Sequence, residues 1–502
     1  MATGLREREV SPEAGVGTGA SVAANIARNF ASLLVGRFGS QLIGFWTNAY
    51  LARRVAPAGF GAIGLAQAAM TYLTIFSDSG LSTIAVREGA QHPGKVQTLI
   101  ASVSALRLLL ALGCMLAGLL VAGYLPYSEA SRQILRVFAI SLPVQAIAVD
   151  WVFRALQKMH YIAIVQIASS ALTLALTLCL VKNPAHVLRV PWIGVVAGAG
   201  AVALSLWLLH QVGYHLRFRF GFGAFRRHLA QSIPLCASSL AITLYIQVNY
   251  LILGKVHSEA VVGLYSAAAR LTVVLSTVHW LYYAAMAPAL MALYQVSRPK
   301  AAALLGQSVR VTAIFGFGML AIGLPASRLL VRLAFGPAFT DATPVFGVML
   351  ASAAVVAVSH NWGQLAVAAH REQLVLKSTL LGGLMNLVVC AVLIRPLGAV
   401  GAATGNLLAE IAVALALFLP WPAEFRGRAL RPALGPAAAC AIALLVSRAA
   451  ALWGLAWGAG LSAAAYLVGL SLFGSITKND LQAARSALAS LVARPDEGVP
   501  RV

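Results

Sequence analysis

The sequence predicts an all-α polytopic membrane protein of about 14 transmembrane helices, with two pseudo-symmetric six-helix lobes and two C-terminal helices. Three observations predict this class. Of the 502 residues, 60% are hydrophobic and only 10% are charged, whereas soluble domains are about 45–50% apolar and about 25% charged. Apolar runs long enough to cross a hydrocarbon core of about 30 Å recur along the whole chain. The first hairpin is echoed in the second half of the chain.

The apolar runs are continuous, which favours helices over a barrel, because barrel strands alternate apolar and polar residues. The first 28 residues are polar and charged, so we expect no secretory signal peptide and interpret the first apolar run as an uncleaved start-transfer helix. The predicted spans are 30–52, 60–81, 99–123, 133–153, 161–181, 190–213, 231–254, 261–288, 303–324, 343–366, 374–394, 398–420, 433–449 and 453–473.

The net charge of +22 would suggest nucleic-acid binding in a soluble protein, but here the basic residues lie mostly in short loops. Sorting alternate loops by side places 22 of the 37 Lys and Arg residues on one side and 11 on the other. By the positive-inside rule this bias predicts that both termini are cytoplasmic, and no nucleic-acid partner is expected. The predicted organisation is an N-terminal tail (1–28), an N-lobe (29–214), a basic linker (215–230), a C-lobe (231–420), spans thirteen and fourteen (433–473) and a C-terminal tail (474–502).

An internal repeat relates the two lobes. The sequence YLARRVAPAGFGAIGLAQAAMTYL at Tyr50–Leu73 corresponds to YLILGKVHSEAVVGLYSAAARLTVVL from Tyr250, and each has a glycine before the second helix, Gly61 or Gly263. Two units of six spans enter the membrane in the same sense, so an axis along the membrane normal would relate them, with a substrate path between. The alternative is that all membrane hairpins share these features.

Four arginines lie inside the predicted spans, namely Arg37, Arg107, Arg270 and Arg310. A charge at the centre of a lone helix costs about 2.5–3.5 kcal/mol, so such residues usually face the bundle interior or water. The acids nearest the membrane core are Asp78, Asp150 and Glu410, which are candidates for ion coupling or for helix pairing.

Two interpretations of Arg37 stay open. It pairs with Asp78 or Glu410 and locks helices together, or it forms with Arg270 a cationic site for an anionic substrate. The second is favoured because spans one and eight belong to opposite lobes and because core arginines outnumber core acids. An arginine fork also suits phosphate oxygens. Arg107 and Arg310 are further candidates for this site. Polar span residues would form interhelical hydrogen bonds or contact sugars: Gln41, Trp46, Asn48, Gln67, Gln145, Gln166, Gln247, Asn249, Asn386 and Asn406.

No motif indicates an enzyme, a cofactor or a metal. The sequence GAQHPGKV at Gly89–Val96 resembles a phosphate-binding loop, but Val96 stands where that loop needs Ser or Thr, and no strand precedes it. The five cysteines all lie in apolar runs, where they are expected to be small buried side chains. The short loops leave no room for a soluble catalytic domain.

Several segments taken in order resemble the polysaccharide branch of the multidrug/oligosaccharidyl-lipid/polysaccharide (MOP) exporter superfamily, the O-antigen-type flippases. They are YLARRVAPAGFGAIGLAQA, SDSGLSTIAVRE, VDWVFRALQKMHY and PLGAVGAATGNLLAE. The resemblance implies a two-lobed fold with a cationic central cavity and alternating access. It implies an undecaprenyl-diphosphate-linked oligosaccharide as substrate, for surface polysaccharide biosynthesis. Arg37 and Arg270 match by span the cavity arginines of the related lipid II flippases, in which the last two spans help form a groove for the lipid tail.

The resemblance also implies a bacterial inner-membrane location and, as partners, membrane lipids, a polysaccharide polymerase and a chain-length regulator. Two other functions stay open. A cation-coupled multidrug exporter would use carboxylates in the membrane core. The first span contains Arg37 and no acid, which argues against this function, but Glu410 leaves it open. A non-transporting subunit of a polysaccharide assembly complex is the other, although a polymerase would be expected to have a large outward loop.

Overall fold

The computed structural model describes residues 19–219, 221–451 and 455–475. Within those ranges the chain forms sixteen α-helices and three short 3₁₀-helices, without strands. The α-helices are α1 (Gly19–Asp78), α2 (Leu81–Gln91), α3 (Val96–Ala122), α4 (Glu129–Ile140), α5 (Leu142–Ala146), α6 (Asp150–Ala155), α7 (Met159–Leu180), α8 (Arg189–Gln211), α9 (Phe222–Val256), α10 (Glu259–Val296), α11 (Arg298–Gly323), α12 (Ser327–Phe335), α13 (Thr343–Ala368), α14 (Glu372–Phe418), α15 (Ala423–Ala450) and α16 (Leu455–Leu472).

In the described part of the chain, ten helices are long and apolar enough to cross a membrane. This confirms the predicted class, a helical multi-pass membrane protein. The number 14 is reached if each arm of the broken helices α1 and α14 crosses separately, and if α4–α6 together and α16 each cross once; the count itself stays a prediction. The predicted tails lie outside the described residues at 1–18 and 476–502.

Backbone breaks replace two of the predicted loops. In α1 the break is at Ala56 (φ 59°, ψ 172°), directly before Pro57. A residue before proline is pushed out of the helical region, and the positive φ of Ala56 is unusual for a residue other than glycine. In α14 the break is at Gly398 (φ 55°), two residues after Pro396, where glycine adopts the positive φ without steric cost. Each break divides a long helix into two arms.

The fourth predicted span, 133–153, is not one helix but three short pieces, α4, α5 and α6. Pro143 lies in the first turn of α5, where a proline is tolerated because its missing N–H would be unpaired there anyway. Between α5 and α6, the carbonyl of Ala148 accepts a hydrogen bond of 2.9 Å from the Arg107 guanidinium. A backbone carbonyl outside a regular helix needs a hydrogen-bond donor at membrane depth. The prediction of a single helix was wrong because no pattern within 133–153 reveals that a distant arginine supplies this donor.

Helices also form where the sequence suggested connections. The amphipathic α12 and a 3₁₀-helix at Pro337–Ala342 occupy the predicted loop between spans nine and ten, and α9 begins at Phe222, inside the predicted linker. The C-terminal helices α15 and α16 pack on α11. The hydroxyl of Tyr466 on α16 donates to the Ile314 carbonyl at 2.8 Å, which fastens this pair to the second half of the chain.

The two halves of the chain meet mainly where α1 packs on α10. Their shared core contains fully buried side chains from both helices, such as Phe60, Ile63 and Val262. Separate hydrophobic clusters lie within each half, one around Trp151 and Phe153 and another around Trp362. The fold is therefore two helical units held together along one central seam.

Candidate functional site: a polar cavity between the two halves

The seam is closed at the end that carries the sequence RRVAPAGFG at 53–61, which we call the corner. Two glycines face each other there, and a Cβ on Gly61 would lie 1.7 Å from the carbonyl oxygen of Glu259. A Cβ on Gly263 would lie 2.0 Å from the carbonyl oxygen of Pro57. The backbones of α1 and α10 therefore touch directly, and only glycine permits this approach. The pair of glycines found as a sequence repeat is a physical contact between the halves.

An aromatic cluster seals the same end. Phe60 on α1 packs edge-to-face on Phe339 at 5.7 Å between ring centroids, and Phe335 on α12 lies 6.1 Å from Phe60 and 5.8 Å from Phe339. All three rings are essentially inaccessible to solvent. The helix that sequence analysis took for a loop thus supplies part of this seal.

Polar contacts across the seam reinforce this closed end. The carboxylate of Glu259, the first residue of α10, accepts hydrogen bonds from the hydroxyls of Ser128 and Ser131 at the start of α4. The Arg53 guanidinium donates to the carbonyls of Leu333 and Ala334 at the end of α12, where backbone acceptors are left without helical partners. These contacts join opposite halves and would have to break for the halves to separate here.

Below the closed end, a cavity of about 960 Å³ lies between the halves. Both arms of α1 line it from one side, and α9, α10, α13 and the second arm of α14 line it from the other. Its volume is near the upper end of ligand pockets, which measure about 300–1,000 Å³. Three of the predicted site residues line it, namely Arg37, Arg270 and Glu410.

Arg270 reaches from α10 to three residues of α1. Its guanidinium donates to Asn48 Oδ1 and, at 2.6 Å, to Gln67 Oε1, and it lies 5.1 Å above the ring of Phe60. Asn48 and Gln67 sit on the two different arms of α1, so one side chain ties together both arms and the second half. Through Phe60 it also contacts the aromatic seal.

Arg37 lies on the first arm of α1 and is exposed to the cavity. Among the described residues, its guanidinium has no hydrogen-bond or ion-pair partner, so neither Asp78 nor Glu410 pairs with it in this arrangement. Glu410 lines the same cavity from α14 and is half-buried. The two arginines and this single carboxylate leave the cavity with a positive balance of charge.

Arg107 and the other two acids are placed elsewhere. Arg107 Nε lies 3.1 Å from Asp78 Oδ1, and the arginine side chain is only 12% exposed. Asp150 at the start of α6 is close enough to Arg107 to act on it electrostatically. Arg107 does not line the central cavity; its ion pair and its bond to Ala148 support the segmented fourth span.

Arg310 is half-buried in α11 and is also absent from the residues that line the cavity. Seven of the ten polar span residues fall into two groups. Gln41, Asn48, Gln67, Gln247 and Asn406 line the cavity. Asn249 and Asn386 form interhelical bonds instead, since Asn249 donates to the Tyr265 hydroxyl at 3.0 Å and Asn386 to the Tyr245 carbonyl at 2.9 Å.

Sequence reasoning missed the aromatic wall of the cavity. Trp280 lines it, is half exposed, and packs against the His360 ring at 4.4 Å between centroids. Tyr245 and Tyr250 on α9 line it as well. The run His-Trp-Leu-Tyr-Tyr at 279–283 is an unusual concentration of aromatic residues within a span and is the signal that would have found part of this wall.

All five cysteines are free thiols, and among the described residues no group of His, Cys, Asp and Glu side chains could hold a metal ion. Buried Cys390 instead contacts the oxygens of Asn249 and Asn386 at 3.2 and 3.1 Å.

Comparison with known proteins adds a family to this geometry. Residues 26–293 match the family described as polysaccharide biosynthesis protein. The chain is 24% identical over 395 residues to a protein of Escherichia coli (strain K12) described as "Putative O-antigen transporter", covering 78% of this chain and 95% of that protein.

Two solved structures share the fold. One is the lipid II flippase MurJ in an inward closed conformation, with a TM-score of 0.72 and 13% identity over 88% of this chain and 98% of that one. The other is an inward-facing multidrug resistance MATE family transporter of the MOP superfamily, with a TM-score of 0.61 and 11% identity over 80% and 98% of the two chains. The chain therefore belongs to the polysaccharide biosynthesis protein family and has the fold of MOP-superfamily transporters.

Proposed function

We propose that this chain is a flippase that carries an undecaprenyl-diphosphate-linked oligosaccharide repeat unit across the bacterial inner membrane for surface polysaccharide biosynthesis. The single observation that carries the proposal is the cavity between the halves, which presents Arg37 and Arg270 from opposite sides. Family membership and the curated relative support the substrate class. Membrane lipids, a polymerase and a chain-length regulator are the proposed partners, and both termini are proposed to be cytoplasmic.

The diphosphate would bind to the arginines that line the cavity. Arginine presents a planar fork of donors that matches phosphate oxygens, and each charge-assisted bond is stronger than a neutral one. The aromatic wall around Trp280 and the amides of Gln247 and Asn406 are proposed to contact the sugars. The prenyl tail can stay in lipid, and spans thirteen and fourteen are the proposed groove for it.

Transport would follow from competition for Arg270. In this structure its guanidinium bonds to Asn48 and Gln67 on the opposite half. Because a diphosphate is a stronger acceptor than an amide oxygen, its binding draws Arg270 away from these bonds. Each lost bond to a charged group removes roughly 1.5–3 kcal/mol of contact between the halves. The seal at Phe60 is weakened with them, and the corner end can open.

The test uses a deletion strain complemented with variants. Arg37→Ala and Arg270→Ala should reach the membrane at wild-type levels but leave lipid-linked repeat units on the cytoplasmic leaflet. Arg136→Ala is the matched control, because this arginine is partly exposed and, among the described residues, its side chain bonds to Glu129 in its own helix. Normal surface polymer from the Arg37 and Arg270 variants would contradict the cationic-site proposal.

A cation-coupled multidrug exporter is the second candidate, and the position of Glu410 in the cavity favours it. Expression of the chain in a drug-sensitive host separates the two functions. Under the flippase proposal no drug becomes less toxic. Resistance that disappears in Glu410→Gln but persists in Arg37→Ala would establish the exporter instead.

A further inference from the structure

A second cavity, of about 540 Å³, lies away from the central one, at the face that carries the linker between the halves. The end of α2 and the start of α3 form one side of it, and the residues just before α9 together with the first turns of α9 form the other. It therefore lies between segments of the two halves. The function proposed above makes no use of it.

The lining of this cavity is strongly basic. Lys95, Arg219 and Arg227 are basic, His92 and His228 add imidazoles, and Glu88 is the one acid among the described residues that line it. Within the described residues, none of these three Lys and Arg side chains has a hydrogen-bonded or ion-paired partner. Three unpaired cations around a common space repel one another, and an anion between them relieves that repulsion.

The cavity is held in shape by specific bonds. Gln97 on α3 exchanges two hydrogen bonds with the backbone of His215, at 2.7 and 3.1 Å. The backbone N–H of Arg219 donates to the Ala101 carbonyl at 3.0 Å. The linker is thus fastened along α3, and Arg219 is presented at a fixed place beside Lys95. These hydrogen bonds distinguish the basic residues of the cavity from cations scattered in a mobile loop.

A buried polar group also lines this space without a partner. His228 is only 2% exposed, and its Nδ1 atom has no hydrogen-bond partner among the described residues. An unsatisfied polar atom in a buried position is costly unless a ligand or water completes its bonding. The Nδ1 atom is itself shielded from solvent, so His228 adds polar character to the wall and is not a direct contact of an ion in the cavity.

We propose that this cavity binds a phosphate group carried by a lipid at the membrane surface. Clustered basic residues at a membrane face are the usual receptors for phosphorylated lipid headgroups. The phosphate can come from an anionic phospholipid or from a polyprenyl diphosphate that waits to enter the central cavity. Because the bound group would touch α3 and α9 together, it would favour the relative position of the halves seen in this structure.

The test measures binding by the purified full chain in detergent micelles, without transport. The probes are inorganic pyrophosphate, phosphatidylglycerol and undecaprenyl diphosphate, and the readout is the shift of the thermal unfolding midpoint with probe concentration. The variant Lys95→Gln/Arg219→Gln/Arg227→Gln removes three charges from the cavity. Lys158→Gln/Lys300→Gln/Lys377→Gln removes three charges elsewhere. Arg37→Ala/Arg270→Ala removes the two arginine side chains of the central cavity. Binding at the basic cavity can therefore be tested separately from the flippase proposal.

We expect the cavity variant to bind the lipid probes about 125-fold more weakly than wild type, at about fivefold for each of the three cations removed. The control variant and the central variant should keep this binding. A response to pyrophosphate shows that the phosphate itself is recognised. A response to phosphatidylglycerol assigns the bulk lipid, and a response to undecaprenyl diphosphate alone assigns the waiting substrate.

Equal binding by wild type and the cavity variant would overturn the proposal, as would equal weakening in the cavity and control variants, which would indicate general electrostatic attraction. The unfolding midpoint without probe shows whether the triple variant is folded. Should it fail to fold, Arg219→Gln alone serves as the second variant, since only its side chain is lost and its backbone bond to Ala101 remains.

Discussion

Alanine at Gly263 should force the closed end of the seam apart. The Cβ of such an alanine would lie 2.0 Å from the Pro57 carbonyl oxygen and must move to about 3.4 Å before the contact is ordinary. The obstacle is backbone, not a flexible side chain, so the helices themselves must separate. Overpacking of this kind costs about 1–3 kcal/mol, which lowers the population of the closed arrangement about 5- to 150-fold.

The assay measures the distance between spin labels placed at positions 54 and 255, in a background without the native cysteines. Both residues are exposed at the corner end, one on each half. We expect a longer distance in Gly263→Ala than in wild type. Gly113→Ala is the matched control, because no atom lies within 4 Å of a Cβ built there; in a helix that change is otherwise stabilising by roughly 0.5–1 kcal/mol. An unchanged distance distribution in Gly263→Ala would refute the view that the glycine contact holds this end closed.

Three further changes test other parts of the structure. Arg107→Ala leaves Asp78 without its ion-pair partner, so we expect the free energy of unfolding in detergent to fall by roughly 3–5 kcal/mol. The control Arg136→Ala, at a partly exposed position, should lower the free energy of unfolding by less than about 1 kcal/mol. Glu259→Ala removes the acceptor for two serine hydroxyls of the opposite half, so the corner labels should move apart; Glu129→Ala, whose ion pairs stay within its own helix, should leave them in place. Arg270→Lys keeps the charge but not the fork, and complementation should show polymer export well below wild type; full export would mean that charge alone suffices.

The fold class could be predicted because hydropathy depends on composition and run length alone. The two breaks were visible as Pro57 and as Pro396 with Gly398, since proline and glycine change backbone preference locally. The segmentation of the fourth span was not visible. It depends on Arg107, which is distant in sequence, reaching the Ala148 carbonyl, and no window of residues around Pro143 contains that information.

The candidate site, like the fold, could be predicted from the sequence only in part. Arg37, Arg270 and Glu410 were chosen as candidates because a charge within an apolar run is conspicuous; all three line one cavity, and their role there stays a prediction. Arg107 carries an identical signal but is paired with Asp78 elsewhere, because sequence shows that a charge is inside the bundle and not which neighbour neutralises it. The aromatic wall was missed since tyrosine and tryptophan occur in spans for many reasons.

The bonding of Arg270 has an electrical consequence. Asn48 and Gln67 accept hydrogen bonds from Arg270 but carry no charge, so these two partners leave its cation without a counter-ion. A diphosphate would supply that counter-charge, and the loaded protein would then differ in net charge from the empty one. Moving one elementary charge across the membrane changes the free energy by about 2.3 kcal/mol for each 100 mV of membrane potential. The steps of a transport cycle in which substrate is bound would therefore respond differently to membrane voltage from the steps in which it is not.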